Sequence, residues 1–281
     1  MTPIDWTQTQ KQRFKELGID PEQKKPIAAS SKDRDKEFQK IEKGQVQRLR
    51  KDLRHLLSHQ KKSQIQALKE RIESILYDHG FTGVTTPTII SKQALKKMTI
   101  GPDHPLYRQV FWLNDRQCLR PMLAPNLYSL MFDFSRLNQR PVRFFEIGSC
   151  FRKESSGARH ANEFTMLNLV EMGSDEAALQ GRLTELAGLI MDAAGIDTYE
   201  FETEGSEVYG STLDVVAGDG KVEVASGATG PHPLDGNWGI TDTWVGIGFG
   251  IERLQMVAAK DLSIGRWVKG LSYLDGICLN I

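Results

Sequence analysis

The sequence predicts an α+β fold in which a mostly antiparallel sheet is flanked by helices. Strand-like segments follow one another with short polar connections, which is typical of antiparallel hairpins. Residues 144–151 and 163–170 form one such pair, and four more strand-like segments lie between residues 199 and 249. Residues 64–79 and 177–194 instead repeat their apolar side chains at helical spacing.

In the first half of the chain, helices should outnumber strands. Residues 1–60 predict short charged helices, and the segment from Ser30 to Asp33 could cap one of them. The helix over residues 64–79 should end at Gly80. There follow a strand over residues 80–87, a helix over 91–98, a hairpin at 110–113 and a helix over 125–137 that has a proline in its first turn.

In the second half, strands dominate. The helix over residues 177–194 should end at Gly195. The last predicted elements are strands near residues 199–203, 212–216, 221–226 and 243–249, and a helix over 251–259.

Composition indicates an intracellular protein with a large core. The chain has 281 residues, 40% of them hydrophobic, which suits one large domain with an appendage. No signal peptide or long apolar run is visible, so a membrane location is not expected. Three widely spaced cysteines support neither a disulfide framework nor a zinc site, and they favour a reducing cytosol. Cys150 is expected to be a small packing residue.

Charge is distributed unevenly although the net charge is zero. Residues 1–62 hold 16 Lys and Arg against 9 Asp and Glu, whereas the remainder holds 20 against 27. A basic end joined to an acidic body favours contact with nucleic acid through that end. A solvated helical face is the alternative.

The hairpin over residues 144–170 presents one arginine and one isolated amide. Alternate residues of a strand share a face, so Arg152 lies on the face of Glu146. On the return strand, Asn168 is the only polar residue on a face that includes Phe164 and Val170. It could be a core amide bonded to the backbone, or the orienting polar group of a substrate pocket.

Residues 246–254 place a second arginine beside a glycine-rich strand. Gly246, Gly248 and Gly250 share one face and leave a flat floor for a planar ligand, although close packing alone would also explain them. The segment is neither a Walker A loop nor a Rossmann fingerprint, because no Gly-Lys-Ser/Thr follows and the glycines lie within the strand. Arg253 follows near the start of the helix predicted over residues 251–259. Together, Arg152 and Arg253 could grip a triphosphate from two sides.

These two elements resemble motifs 2 and 3 of the class II aminoacyl-tRNA synthetases, and residues 80–87 resemble motif 1. Within that class, the chain is similar to the pyrrolysyl-tRNA synthetase family from about Gln64 to Ile281. The similarity is carried by residues 97–100, 119–128, 151–169 and 271–276. It predicts a class II catalytic domain over residues 63–281, preceded by a helical basic segment over 1–62 that contacts tRNA.

The resemblance implies a ligase that uses ATP and Mg²⁺ to activate pyrrolysine and to transfer it to a cognate tRNA. It also implies a homodimer formed through motif 1. Arg152 would grip the α-phosphate, Arg253 would contact the γ-phosphate and stack on adenine, and Phe164 would cover the other face of the adenine. Glu154 would meet the adenine amino group.

Two further residues match the family's metal-binding pair, Glu223 and Ser226. Residues three apart in a strand face opposite ways, so the pair requires a bulge or strand end near Ala225. A strand-edge ion pair is the alternative role of Glu223.

The resemblance also implies an amino-acid pocket in which Asn168 bonds the amide carbonyl of the substrate and Tyr209 closes as a lid. Its predicted lining consists of Ala124, Leu127, Tyr128, Met131, Asn168, Val170, Tyr209 and Trp244. Val170 stands where some members of the family have Cys, which alters the pocket size. Archaeal members often carry an additional N-terminal tRNA-binding domain. The length of this chain suggests the stand-alone catalytic form, with that function supplied by a separate protein.

Two alternatives remain at this point. One is a class II synthetase for another amino acid, such as the phenylalanyl or phosphoseryl type, and Asn168 argues against the phenylalanyl type. The other is a synthetase-like paralogue that binds RNA without activating an amino acid. Retention of Arg152, Arg253 and Glu223 argues against the paralogue.

Overall fold

The computed structural model describes residues 4–26, 30–137, 139–153, 161–206, 208–219, 221–261 and 263–281. These residues form two compact units, one over residues 65–269 and one over residues 1–64 together with 270–281. The domain boundary placed after residue 62 stays a prediction. The structure adds that the last residues of the chain group with the N-terminal unit.

The helices among the described residues are α1 (Gln8–Glu16), α2 (Ser31–His55), α3 (Gln64–Asp78), α4 (Lys92–Lys97), α5 (Pro105–Gln109), α6 (Ala124–Phe134), α7 (Leu179–Ala194) and α8 (Ile251–Ala258). The strands are β1 (Thr82–Gly83), β2 (Ile89–Ser91), β3 (Gln117–Leu119), β4 (Val142–Phe151), β5 (Glu163–Met172), β6 (Tyr199–Ser206), β7 (Gly210–Ala217), β8 (Val222–Gly230), β9 (Trp244–Gly250), β10 (Tyr273–Leu274) and β11 (Ile277–Cys278).

The smaller unit combines charged helices with a short hairpin. Ser30 caps α2 by accepting a hydrogen bond from the backbone of Asp33, as its sequence position predicted. The hairpin β10–β11 belongs to the same unit, and its Cys278 is buried together with Leu17 and Leu49.

The larger unit is built on a seven-stranded sheet with the order β1-β4-β5-β9-β8-β7-β6. β1 pairs with β4 in parallel, and the five other pairings are antiparallel. The mostly antiparallel sheet predicted from the sequence is confirmed. β5 lies between β4 and β9, so Asn168 has Glu146 on one side and Gly248 on the other.

Both faces of this sheet are covered. One apolar cluster joins α3, α7 and α8 to the sheet and includes Leu167 and Leu169 of β5. A second cluster packs α4 and α6 on the opposite face, where Phe164 and Met166 are partly buried. Side chains of β5 alternate between the two faces of the sheet, as predicted. Phe164 and Met166 therefore point to the face covered by α4 and α6, where the candidate site lies.

Two predicted strand segments differ in the structure. The hairpin expected at residues 110–113 is present but irregular: Leu119 N–H donates to Phe111 O and Leu113 N–H donates to Gln117 O, both at 2.9 Å, on either side of a single antiparallel bridge between Trp112 and Cys118. On its other edge, β3 pairs with β2. The strand expected over residues 80–87 is limited to Thr82–Gly83. Thr86 leaves the ladder because its N–H and hydroxyl donate to the carboxylate of Glu146, at 3.2 and 2.6 Å. A side chain thus replaces the backbone partner that a strand would have supplied.

No helix among the described residues has both the length and the apolar character needed to cross a membrane.

Candidate active site

Two adjoining cavities lie on the second face of the sheet. The larger has a volume of about 490 Å³ and is lined by Arg152, Phe164, Glu223, Ser226 and Arg253, the described residues that were predicted to bind ATP. Glu154, the remaining member of that prediction, lies outside the described residues. The smaller cavity, of about 70 Å³, is lined by all eight residues predicted for the amino-acid pocket. Asn168 and Tyr209 line both cavities.

Arg152 enters the larger cavity from the end of β4. Its Nε donates to the carbonyl oxygen of Pro121 at 2.9 Å, and its guanidinium lies over the ring of Phe164. These two contacts restrict the Arg152 side chain to few rotamers, so its charge is oriented toward the cavity before a ligand binds.

A buried ion pair that the sequence analysis missed supports Arg152 from behind. Arg120 and Glu146 are 4% and 2% exposed and lie 2.8 Å apart, and Arg120 also donates to Ser149 O at 2.8 Å. Thr86 and Glu146 are bonded as well, so the pair joins motif 1 to β4. A buried pair persists only where hydrogen bonds satisfy both ions. Because Arg120 precedes Pro121, this network positions the carbonyl that holds Arg152.

Arg253 occupies the first turn of α8 and faces β8. It donates to the backbone carbonyl of Glu223 at 2.9 Å and lies 3.8 Å from the Glu223 carboxylate. The Glu223 side chain is 54% exposed, yet it lies in a concave cleft whose walls displace bulk water. This desolvation raises the pKa of the Glu223 carboxyl, and the nearby Asp214 carboxylate raises it further. The positive charges of Arg253 and Arg152 lower it.

The predicted bulge near Ala225 is confirmed. Val215 pairs with Ala225 and Val216 pairs with Glu223, which leaves Val224 as the additional residue of β8. Because of this bulge, Glu223 and Ser226 open into the same cavity instead of facing opposite ways. Directly across from Ser226 lies Asp214, which the sequence analysis did not identify.

The oxygens at this bulge fit a hard cation. Asp214 is 8% exposed, and its Oδ1 is buried without a hydrogen-bond partner. Among the described residues, no cluster of three or more His, Cys, Asp or Glu side chains could hold a metal by itself. Magnesium typically takes one or two protein oxygens and completes its shell with phosphate and water. The Glu223 carboxylate and the Ser226 hydroxyl could supply such a partial set.

Glu252 ties motif 3 to motif 2. Both of its carboxylate oxygens lie 2.9 Å from the backbone nitrogen of Thr165, which donates from β5. Burial raises the pKa of this carboxyl, and the bond from Thr165 lowers it. Glu252 was missed because its partner lies 87 residues away in the sequence.

The amide of Asn168 stands next to a glycine that makes room for it. Its Oδ1 is buried without a hydrogen-bond partner, and a Cβ added at Gly248 would lie 2.9 Å from that oxygen. A buried amide oxygen without a partner carries a desolvation cost. A ligand with a complementary polar group would remove that cost, which favours the pocket interpretation over the packing one.

The walls of the smaller cavity are organised by one buried carboxylate. Asp235 is 2% exposed and accepts hydrogen bonds from Tyr128 Oη at 3.2 Å and Trp244 Nε1 at 2.9 Å. Burial raises the pKa of both Tyr128 and Tyr209, so these phenols remain neutral. Tyr209 packs edge-on against Trp244, with ring centres 6.4 Å apart. Asp235 was also missed, since nothing near it in the sequence signals a pocket.

Cys150 is fully buried, and desolvation raises the pKa of its thiol to about 12. It stays protonated at neutral pH and behaves as a packing residue, as expected from the sequence.

The family model of the tRNA synthetases class II core domain (F) matches residues 52–264. The chain belongs to the class II aminoacyl-tRNA synthetases. The crystal structure of a pyrrolysyl-tRNA synthetase from Desulfitobacterium hafniense is similar over 100% of both chains, with a TM-score of 0.93 and 48% identity. A second structure of a pyrrolysyl-tRNA synthetase from that organism has a TM-score of 0.90 and 46% identity, over 100% of this chain and 98% of the other.

Two curated relatives match shorter stretches. A histidine–tRNA ligase of Methanococcus vannielii is 24% identical over 124 residues, which is 43% of this chain and 29% of that protein. An elongation factor P–(R)-β-lysine ligase of Pseudoalteromonas translucida is 36% identical over 66 residues, which is 24% of this chain and 20% of that protein. The chain thus spans less than a third of the length of these relatives. The class II fold predicted from the sequence is confirmed, whereas the roles of single site residues stay predictions.

Proposed function

We propose that this class II synthetase activates pyrrolysine with ATP to the aminoacyl-adenylate and transfers it to the 3′ end of a cognate tRNA. Similarity to pyrrolysyl-tRNA synthetase at 48% identity over both whole chains supports the proposal. The observation that carries it furthest is the buried, unpartnered Oδ1 of Asn168 at the junction of the two cavities.

The larger cavity is proposed to hold ATP. Activation requires the amino-acid carboxylate to approach the α-phosphorus in line, and the protein contributes mainly position and charge. Arg152 reaches this cavity from the end of β4, and Arg253 reaches it from the first turn of α8. Glu223 and Ser226 would hold Mg²⁺, which when bound neutralises charge on the phosphates.

The smaller cavity is proposed to hold the substrate side chain. Its walls include Leu127, Met131 and Val170, which suit a long apolar chain. A side-chain amide such as that of Asn168 can accept one hydrogen bond at Oδ1 while its NH₂ group donates others. An Nε-acylated lysine offers both partners, a carbonyl and an N–H. Free lysine would bring an uncompensated charge into apolar surroundings.

ATP–pyrophosphate exchange tests the assignment with a panel of amino acids. A lysine derivative with an Nε-carbamate should support exchange. Phenylalanine should not, because it leaves the Asn168 amide unpaired, and lysine should not, because it buries a charge and offers no acceptor to the Asn168 NH₂ group. Asn168→Asp is the matched variant, since it keeps the volume and removes both N–H donors. Exchange of lysine or phenylalanine at a rate near that of the carbamate would contradict the proposal while leaving the class II fold in place.

The partners follow from the same proposal. The basic segment over residues 1–62 would contact tRNA, and motif 1 would form a homodimer in the cytoplasm. The excess of Lys and Arg in that segment supports the tRNA contact.

A further inference from the structure

His232 connects two parts of the site without lining either cavity. It follows β8 and caps a 3₁₀ turn over Pro233–Asn237. Its Nδ1 lies 3.2 Å from the backbone nitrogen of Leu234, within that turn. Its Nε2 lies 2.6 Å from the carbonyl oxygen of Tyr209, 23 residues earlier in the chain.

The chemistry of these two contacts decides the state of the ring. The backbone N–H of Leu234 can only donate, so Nδ1 must present its lone pair. The carbonyl of Tyr209 can only accept, so Nε2 must carry the proton. One neutral tautomer satisfies both contacts, and the ring is held at both ends.

The hydrogen bond from His232 Nε2 restrains Tyr209, the residue predicted to close over the substrate. Tyr209 lies in the turn between β6 and β7 and lines both cavities. Its ring packs edge-on against His232, with ring centres 5.7 Å apart, and its backbone N–H donates to Ser206 Oγ at 3.1 Å. The His232 ring thus contacts both the backbone carbonyl and the side-chain ring of Tyr209.

The other end of the same turn restrains the pocket walls. The backbone N–H of His232 donates to Asp235 Oδ2 at 2.7 Å. That oxygen also accepts from Trp244 Nε1, and the second oxygen accepts from Tyr128. One short turn therefore holds Tyr209 through His232, and it holds Tyr128 and Trp244 through Asp235.

We propose that His232 is a positioning residue for amino-acid binding, which holds Tyr209 over the smaller cavity without touching the substrate. This inference rests on the proposed function, since it assigns the smaller cavity to the amino acid. Losing one hydrogen bond of this kind should weaken amino-acid binding by about threefold to tenfold. ATP binding should change less, because Arg152 and Arg253 donate to the carbonyl oxygens of Pro121 and Glu223, which lie outside the turn.

Two substitutions separate the contact to Tyr209 from the cap of the turn. His232→Asn keeps an oxygen near the position of Nδ1, where it can accept from Leu234, but its side chain is too short to reach Tyr209. His232→Gln can place an amide N–H toward the Tyr209 carbonyl. In pyrophosphate exchange, His232→Asn should raise the KM for the amino acid about threefold to tenfold, with a smaller change in the KM for ATP. His232→Gln should return the KM for the amino acid most of the way to the wild-type value. An unchanged amino-acid KM in His232→Asn, or equal increases for both substrates, would overturn the proposal.

Hydrogen–deuterium exchange of the substrate-free protein provides a readout that needs no catalysis. In His232→Asn, the amide hydrogens of Val208 and Tyr209 should exchange faster than in the wild type, while those of Leu234 and Trp238 keep their protection. In His232→Gln the Tyr209 amide should be protected as in the wild type. Wild-type protection of Tyr209 in His232→Asn would contradict the proposal. Because this readout is independent of substrate, a wild type that fails to activate carbonyl-bearing lysines would refute only the proposed function.

Discussion

The guanidinium of Arg152 lies 5.2 Å from the centre of the Phe164 ring, across the hairpin formed by β4 and β5. Arg152 follows β4, and Phe164 is the second residue of the return strand. The hairpin thus brings the residue predicted to grip the α-phosphate against the ring predicted to cover adenine. One local contact therefore sets the spacing between two proposed ATP-binding groups.

Removing this arginine should abolish activation without unfolding the protein. Arg152→Ala should lower pyrophosphate exchange by on the order of a hundredfold or more, because a charge-stabilising donor is removed. Arg152→Lys should recover only part of this activity, since lysine lacks the planar fork. Arg136→Ala is the matched control, because Arg136 lies over Phe132 at 4.5 Å and lines neither cavity. Comparable decreases in Arg136→Ala and Arg152→Ala would refute the specific role.

Gly248 should control the position of Asn168. In Gly248→Ala the new methyl group would stand 2.9 Å from Asn168 Oδ1, so the amide must move. We expect the KM for a carbonyl-bearing lysine to rise about tenfold, the scale of one misplaced hydrogen bond. Gly205→Ala is the control, because Gly205 lines the larger cavity but its added methyl meets nothing within 4 Å. Equal KM values for both variants would show that Asn168 does not bind the substrate.

Glu252 should make stability depend on pH. Burial raises its pKa above the ordinary 4.5, so the folded state holds the proton more tightly than the unfolded chain does. Stability from this group is therefore fully present below pH 4.5 and is lost as the pH rises through the raised value. Glu252→Gln keeps an acceptor for Thr165 and has no charge. The melting temperature of Glu252→Gln minus that of the wild type should therefore increase as the pH is raised from 4.5 to 8. A constant difference across that range would contradict the assignment.

The exposed basic face of α2 should serve tRNA and not activation. Lys40, Lys43 and Arg50 are exposed on this helix, so replacing them with Gln should leave the fold intact. Aminoacylation should weaken, and its salt dependence should flatten by about 0.9 in the logarithmic slope for each tRNA phosphate that the variant no longer neutralises. Pyrophosphate exchange should not change. An equal fall in both activities would make the helix a structural support instead.

Much of the fold follows from local patterns. The helix over α7 and its end at Gly195 were predicted within two residues, because helical spacing and a left-handed C-terminal glycine are local signals. The bulge near Ala225 was predicted from the requirement that Glu223 and Ser226 share a side. The pairing of β3 with β2 was not predicted, because the choice of strand partner is not local: it joins Ile90 to Cys118 across 28 residues.

The sequence by itself determined that Arg152 stands at the end of one strand and Asn168 on one face of the next, because strand alternation depends only on neighbouring residues. Only the tertiary structure decided what holds them. Asp235 meets Tyr128 across 107 residues, and Glu146 meets Arg120 across 26. Such partners are chosen by how the sheet and helices pack, since a buried carboxylate is stable only where the fold brings donors to it.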